Sequence, residues 1–381
     1  MIGVEGQYVI AFNIGSFQDA IDQNNLASFK LIEEAGNVLP MFEVLFATVN
    51  TDLVELLSEG NPISVSIGKT TESMKEADLV ILNCDKSRLG DGSFVIRITG
   101  FLNAMAYLMN RKVSSKRATS IEAIREVAKN YFNVDITSKS SDTSFWLQQT
   151  ISDRDFINQI WFHSWIEGSV PMIGITSGGD FIIRDLKSLA SKETPDWRFV
   201  GTPQQEIDVS YGGGHKDVSP SGFMNTLGAY GKSMTVRNST TGEFTTLTTE
   251  PLEPILSQSS SLNRQKNVEP KISAIVEISE NVHEHYWDAY NNNIATLSSL
   301  SSSQIVITVV NDFRPFKLLD LCFYKEDLIT MSKGDSKEAT EHSSGLYIIT
   351  KIANVIKGNV LSTFVFMTRE TMNNLRGEEL K

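Results

Sequence analysis

Along residues 1–110 apolar positions alternate with polar ones or gather in short β-branched runs, as in "YVIAFNI", "FEVLFATV", "PISVSIG" and "ADLVILNC". A period of two broken by turn residues predicts strands. Between them "TDLVELLSEG" predicts one short helix ending at Gly60. This first region reads as a β-barrel domain.

The period changes after residue 111. "ATSIEAIREVAKNYFNVDI" carries a capping box, Thr119 with Glu122 three residues on, and an apolar stripe of Ile121, Ile124, Val127, Ala128 and Tyr131. An extended "FWLQQT" follows, and "ISDRDFINQIWFHSWIEGSVPMIGITSGGDFIIRD" repeats the device. Ser152 caps, Asp155 takes the third helical position, and Phe156, Ile157, Ile160, Trp161 and Ser164 share a face with His163 at its edge. Gly168 is the predicted stop, and "PMIGI" and "FIIRDL" form a hairpin over "TSGGD". Residues 111–200 therefore read as an inserted α+β domain. On this wheel Trp161→Ala should cost ~3–5 kcal/mol and His163→Ala much less.

Residues 201–270 are polar and rich in Gly, Ser and Thr, with extended "SMTVRNS" and "EFTTLTTE" inside them. A helix follows with Val282, Tyr286, Ala289, Tyr290, Asn293 and Leu297 on one side, and then strands return. Residues 201–250 plus 304–371 read as a second β-barrel domain, 251–303 as a smaller helical insert and 372–381 as a tail. The two β regions echo each other: a short strand, a spacer, then a hairpin, in "NPISVSIG…DLVILNCDKSRLGDGSFVIRITG" and again in "RPFKLLDLCFY…GLYIITKIANVIKGNVLSTFVFMTRE". The expected fold class is α+β, mainly β, with one barrel duplicated.

Composition narrows the function. A chain of 381 residues has room for about two to four domains. With 34 basic and 46 acidic residues the net charge is −12, the wrong sign for gripping nucleic acid by counterion release. Cys84 and Cys322 alone give no disulfide framework or cysteine metal cluster, as expected in a reducing cytoplasm. No apolar run approaches the roughly 20 residues of a membrane helix, and no leader pattern opens the chain.

Candidate chemistry is weak throughout, and the reading is of no catalytic, cofactor-binding or metal-ligating residue. His163 and Ser164 are adjacent on a helix and cannot face each other as base and nucleophile. His283 and His285 in "NVHEHYWD" lack zinc-peptidase spacing and read as a solvated helix flank. Gly231, Lys232 and Ser233 end like a phosphate loop, but Thr226 stands where the first glycine belongs. "YGGGH", 211–215, reads as a flexible turn. Asp153 and Asp155 are explained by the first turn of a capped helix.

The succession of extended "FWLQQT", the Ser-Asp-x-Asp-Phe helix start, the aromatic helix and the hairpin closing at Asp185 resembles the hub proteins of phage baseplates and the spike-hub proteins of contractile injection systems. Gln149, Ser152, Asp153, Asp155 and Phe156 carry the match, together with the flanking β regions. The resemblance implies a non-enzymatic virion protein, assembled in the host cytoplasm. It implies a homotrimer in which two tube-like barrels per chain make six units continuing a hexameric tail tube. Its implied partners are the tail tube protein, a central spike on a separate chain, the tape measure protein and other baseplate proteins, with DNA passing without specific binding and no membrane insertion. An acidic lumen would hold DNA off the wall within a Debye length of about 8 Å. Two other classes compete: a tail-associated cell-wall- or polysaccharide-degrading enzyme, and a monomeric carbohydrate-binding module. Lysis of purified cell wall would favour the first, and any stable oligomer would count against the second.

Overall fold

The computed structural model describes residues 8–70, 74–211, 215–218, 232–238, 241–249, 255–256, 276–278, 281–300, 303–325, 344–358 and 360–370. The period-two segments form strands. β1 (Val9–Asn13), β2 (Leu26–Glu34), β3 (Met41–Thr48), β4 (Pro62–Gly68), β5 (Lys75–Arg88) and β6 (Phe94–Leu102) pair antiparallel in the order β1-β4-β5-β6-β3-β2. Helix α1 (Thr51–Leu56) links β3 to β4 and is capped by Asn50, whose side chain accepts from the Asp52 and Leu53 amides. Alternation puts Phe42, Val44 and Phe46 of β3 and Ile96 and Ile98 of β6 into one apolar core with Leu53 and Leu57.

The inserted unit holds α2 (Met105–Met109), β7 (Arg111–Ala118), α3 (Ser120–Ala128), β8 (Asn133–Ile136), β9 (Ser144–Ser152), α4 (Asp153–Phe162), β10 (Pro171–Ile175), β11 (Asp180–Asp185) and α5 (Leu186–Ala190). β7 pairs with β9, and β10-β11-β8 form a small sheet. The Thr119–Glu122 capping box is present at α3. α4 ends at Phe162 with His163 as its C-cap, short of the expected stop at Gly168.

Beyond it come β12 (Trp197–Val200), β13 (Asp208–Ser210), β14 (His215–Val218), β15 (Lys232–Asn238), β16 (Phe244–Thr249), β17 (Val276–Ile278), α6 (Tyr286–Leu300), β18 (Ser303–Val310), β19 (Leu321–Tyr324), β20 (Gly345–Lys357) and β21 (Val360–Arg369). β12 lies parallel to β19, so the chain has already returned to the large sheet at Trp197, before the boundary drawn at 200. β15, β16 and β17 form a separate three-stranded sheet.

The echo in the sequence has a structural counterpart. β3, β4, β5 and β6 are arranged β3-β6-β5-β4, and β18, β19, β20 and β21 are arranged β18-β21-β20-β19, every neighbour antiparallel. Each unit carries a register shift in its third strand, between Ile81 and Asn83 in β5 and between Ile349 and Lys351 in β20. A bulge adds one unpaired residue and sharpens the local bend, so Leu82 and Thr350 turn equivalent strands at equivalent points. Counted from the bulges, Phe42, Val44 and Phe46 correspond to Ile305, Ile307 and Val309, all buried.

The two units belong to one 13-stranded sheet, joined where β2 pairs with β20 from Ser28–Lys357 to Glu34–Lys351. Glu34 and Lys351 form an ion pair of 2.9 Å across this seam, and Ile356 and Leu361 of the second unit enter the core of the first.

Candidate functional site

α4 lies where the inserted unit, the large sheet and α6 converge. Phe156, Ile157, Ile160 and Trp161 are buried as their spacing predicts, and the Trp161 indole donates to the Pro171 carbonyl at 2.7 Å. Ser152 caps the helix, accepting from the Asp155 amide at 3.1 Å.

The two carboxylates of the helix start are not a pair. Asp155 is exposed, whereas Asp153 is buried and accepts from Tyr131 at 2.5 Å, Gln148 at 2.9 Å and Lys112 at 3.0 Å. Burial opposes ionisation of Asp153, but these donors outweigh it and hold the carboxyl below its ordinary range. Gln148 is buried and makes this contact, while Gln149 is exposed.

His163 is not at the edge of the packed face. It is buried, its ring stacked on Tyr286 at 3.9 Å and Tyr290 at 4.9 Å, with the Trp287 edge at 5.4 Å. Its Nδ1 lies 2.6 Å from the Gln159 carbonyl, which can only accept, so Nδ1 carries the proton. Burial pushes its pKa down to about 4. A helical wheel locates the face toward the helix's own unit; α6 covers His163 from the other side. Ser164 donates to the Ile160 carbonyl at 3.0 Å and is no nucleophile for His163.

His283 and His285 precede α6 in a turn rather than lying on a helix flank. His283 donates from Nε2 to the His163 carbonyl at 2.9 Å, and burial lowers its pKa. His285 stacks on Trp165 at 4.4 Å. The stripe of α6 is largely as expected, but Asn291, Asn292 and Asn293 are all buried. Asn293 donates to the Phe162 carbonyl at 3.1 Å and the Ser164 carbonyl at 2.8 Å, satisfying the open end of α4 from a distant helix.

Three joining residues carry no local sequence signal. Asn37 donates to the Arg154 carbonyl and the Asn158 side chain, both at 3.0 Å, and accepts from Tyr107. Asp142 accepts from the Ser120 amide at 2.9 Å and the Trp165 amide at 2.7 Å. Glu33 accepts from the Ser177 amide at 2.5 Å, and burial raises its carboxyl above the ordinary range. Each ties one element to another across a long stretch of sequence.

A cavity of about 340 Å³ opens beside this junction, between Ala35, Trp161, Ile173, Leu300 and Phe366, with Glu34 and Lys351 at its polar side. Those two charges are bound to each other, so the cavity holds no free acid or base from this pair. Among the described residues there is no cluster of three or more His, Cys, Asp or Glu side chains able to hold a metal. Cys84 and Cys322 are both free thiols. Lys232 and Ser233 begin β15, while Thr226, Gly231 and residues 212–214 lie outside the described residues. No helix of the described residues is long and apolar enough to cross a membrane. Asn37, Asp142, Asp153 and Asn293 each join one element to another.

No protein-family model matches the sequence, and no curated protein does. Solved structures share the fold. The tail protein of Neisseria meningitidis MC58 is 9% identical with a TM-score of 0.59, over 95% of this chain and 96% of that one. The 43 kDa tail protein of prophage MuSo2 from Shewanella oneidensis is 10% identical with a TM-score of 0.61, over 96% of this chain and 99% of that one. A chain of the Francisella PdpA-VgrG complex is 12% identical with a TM-score of 0.51, over 96% of this chain but 58% of that one. The chain therefore has the mainly β fold of phage tail proteins, as the resemblance implied.

Proposed function

We infer that this chain is a structural ring protein of a phage tail, positioned in the baseplate between the tail tube and a central spike, and not an enzyme. One observation carries the reading: each chain holds the same four-stranded arrangement twice, bulge included, within one sheet. Three such chains supply six similar units, which suits a tube of sixfold symmetry, and a duplicated chain is how a trimer meets a hexamer. The fold shared with two tail proteins over nearly their whole lengths supports the tail location. The buried polar residues of α4 and α6 fit a rigid wall rather than a reactive cleft.

In this role the ring passes DNA and the tape measure protein during ejection, and the net charge of −12 serves that passage if acidic residues line the lumen. Assembly takes place in the host cytoplasm before the particle is complete. Native mass measurement of the purified chain, alone and with its tube protein, should give a trimer. Monomer under both conditions at high concentration would refute the ring, and clearance of purified cell wall by the isolated chain would favour a degradative enzyme instead. Imaging of the trimer decides the lumen: a neutral or positive inner wall would refute the acidic channel.

A further inference from the structure

Along β21, Val365 and Met367 belong to the apolar core, and Phe366 and Thr368 alternate with them onto the other face of the sheet. Gln304 of β18, next to the core residue Ile305, lies directly opposite Thr368. Gln304, Phe366 and Thr368 form the sheet side of the cavity of about 340 Å³, and Trp161 of α4 with Leu297 and Leu300 of α6 form its helix side. Two polar side chains of this lining have no partner. The Thr368 hydroxyl is enclosed and makes no hydrogen bond among the described residues, and neither does the half-buried Gln304 amide. An enclosed polar group left unpaired costs stability. The other polar groups are taken: Thr350 donates to the Phe366 carbonyl at 3.5 Å, and Glu34 and Lys351 are bound to each other.

We propose that this cavity binds a flat, neutral aromatic molecule of about two fused rings carrying one hydroxyl or carbonyl group, its rings against Trp161 and Phe366 and its polar group on Gln304 and Thr368. A rotation of Thr368 between staggered χ1 wells presents its hydroxyl to the ligand. Charge is selected against, because the charged side chains at the cavity already neutralise one another and a buried ligand charge would have no counterion. A wholly apolar ligand leaves both polar side chains unpaired. Size sets the ring count: a cavity of about 150 Å³ admits benzene, and this one has roughly twice that volume. The ligand touches the large sheet, the inserted unit through Trp161 and Ile173, and α6 at once, so binding stabilises the junction of all three. The site is independent of the ring reading above, since its residues all come from one chain.

The test uses the full purified chain at neutral pH and probes that share one ring system: 2-naphthol, naphthalene and 2-naphthoate. Equilibrium titration should show 2-naphthol binding at least ~10-fold more tightly than either of the others, the factor expected for one satisfied hydrogen bond. It should also raise the thermal midpoint with increasing concentration. Thr368→Val keeps the shape of the side chain and removes the hydroxyl. This variant should bind 2-naphthol ~10-fold more weakly and naphthalene unchanged, and its thermal midpoint without ligand should rise because an unpaired group is gone. Gln304→Met should likewise weaken 2-naphthol alone, whereas Leu297→Phe, which narrows the cavity, should weaken both neutral probes. Equal binding of all probes, no binding of 2-naphthol by the folded chain, or 2-naphthol binding that neither Thr368→Val nor Gln304→Met alters overturns the site. A lower thermal midpoint in Thr368→Val also overturns it, because the hydroxyl would then have a partner already.

Discussion

Replacing His163 by Phe keeps a ring between Tyr286 and Tyr290 and removes the imidazole from the stack. In the folded chain burial holds the imidazole near pKa 4, against about 6.5 in the unfolded chain. The unfolded state therefore binds more protons between these values, and stability from this group is complete above pH 6.5 and lost as pH falls toward 4. Between pH 7.5 and 5.0 the loss works out at ~2 kcal/mol, from 1.36 kcal/mol per pH unit of displaced titration. Asp320, raised by burial to about 6, and Glu33, also raised by burial, act in the opposite sense, since stability held by their protonated forms is lost as pH rises. They are unchanged by the substitution and cancel in the difference. Urea unfolding of both proteins at fixed protein concentration, at pH 7.5 and 5.0, reads that difference. His163→Phe should cost ~1 kcal/mol at pH 7.5 through loss of the bond to Gln159, yet lose ~2 kcal/mol less than the parent on going to pH 5.0. Identical pH dependence in the two proteins would mean that His163 is not buried between the tyrosines.

Trp161→Ala should cost ~3–5 kcal/mol, read by thermal or urea unfolding, because it empties a buried aromatic site and orphans the Pro171 carbonyl. Asp142→Ala should cost ~2–4 kcal/mol by the same assay, since the Ser120 and Trp165 amides both lose their acceptor. Gly100→Ala should prevent normal folding, seen as insoluble expression: its Cβ would lie 2.0 Å from the Val80 carbonyl oxygen and 2.5 Å from Phe42 Cε1. Gly100 sits opposite Ile81 at the β5 bulge, so wild-type solubility of this variant would place that bulge elsewhere.

Strands with one buried face were legible in β3, β4 and β6, because period two is written into the chain itself, whereas β2 was not read. The starts of α3 and α4 were legible for the same reason, their caps being local. The end of α4 was not: Asn293, remote in sequence, satisfies its carbonyls, and no stop signal at 163 is needed. β7 was missed because its large apolar residue, Val113, is exposed and its partner is the distant β9. His163 was misplaced because α6 packs on a face that a single-helix pattern leaves open. The duplication was visible as a rhythm of strand, spacer and hairpin, but the seam between its halves depends on β2 meeting β20, which no local pattern announces.

That seam also sets a timetable. Ser28 and Lys357 are partners, so β2 is complete on the ribosome long before β20 has been made. At ~5–20 residues per second, the roughly 300 residues between them take ~15–60 s to emerge. During that interval "SFKLIEE" presents an unpartnered edge whose Phe29 and Leu31 are destined for burial. Closing so long a loop is slow as well as late. A newly made chain is therefore exposed to premature strand pairing with its polysome neighbours, and its yield should respond to chaperone supply more than that of a protein whose sheets form in sequence order.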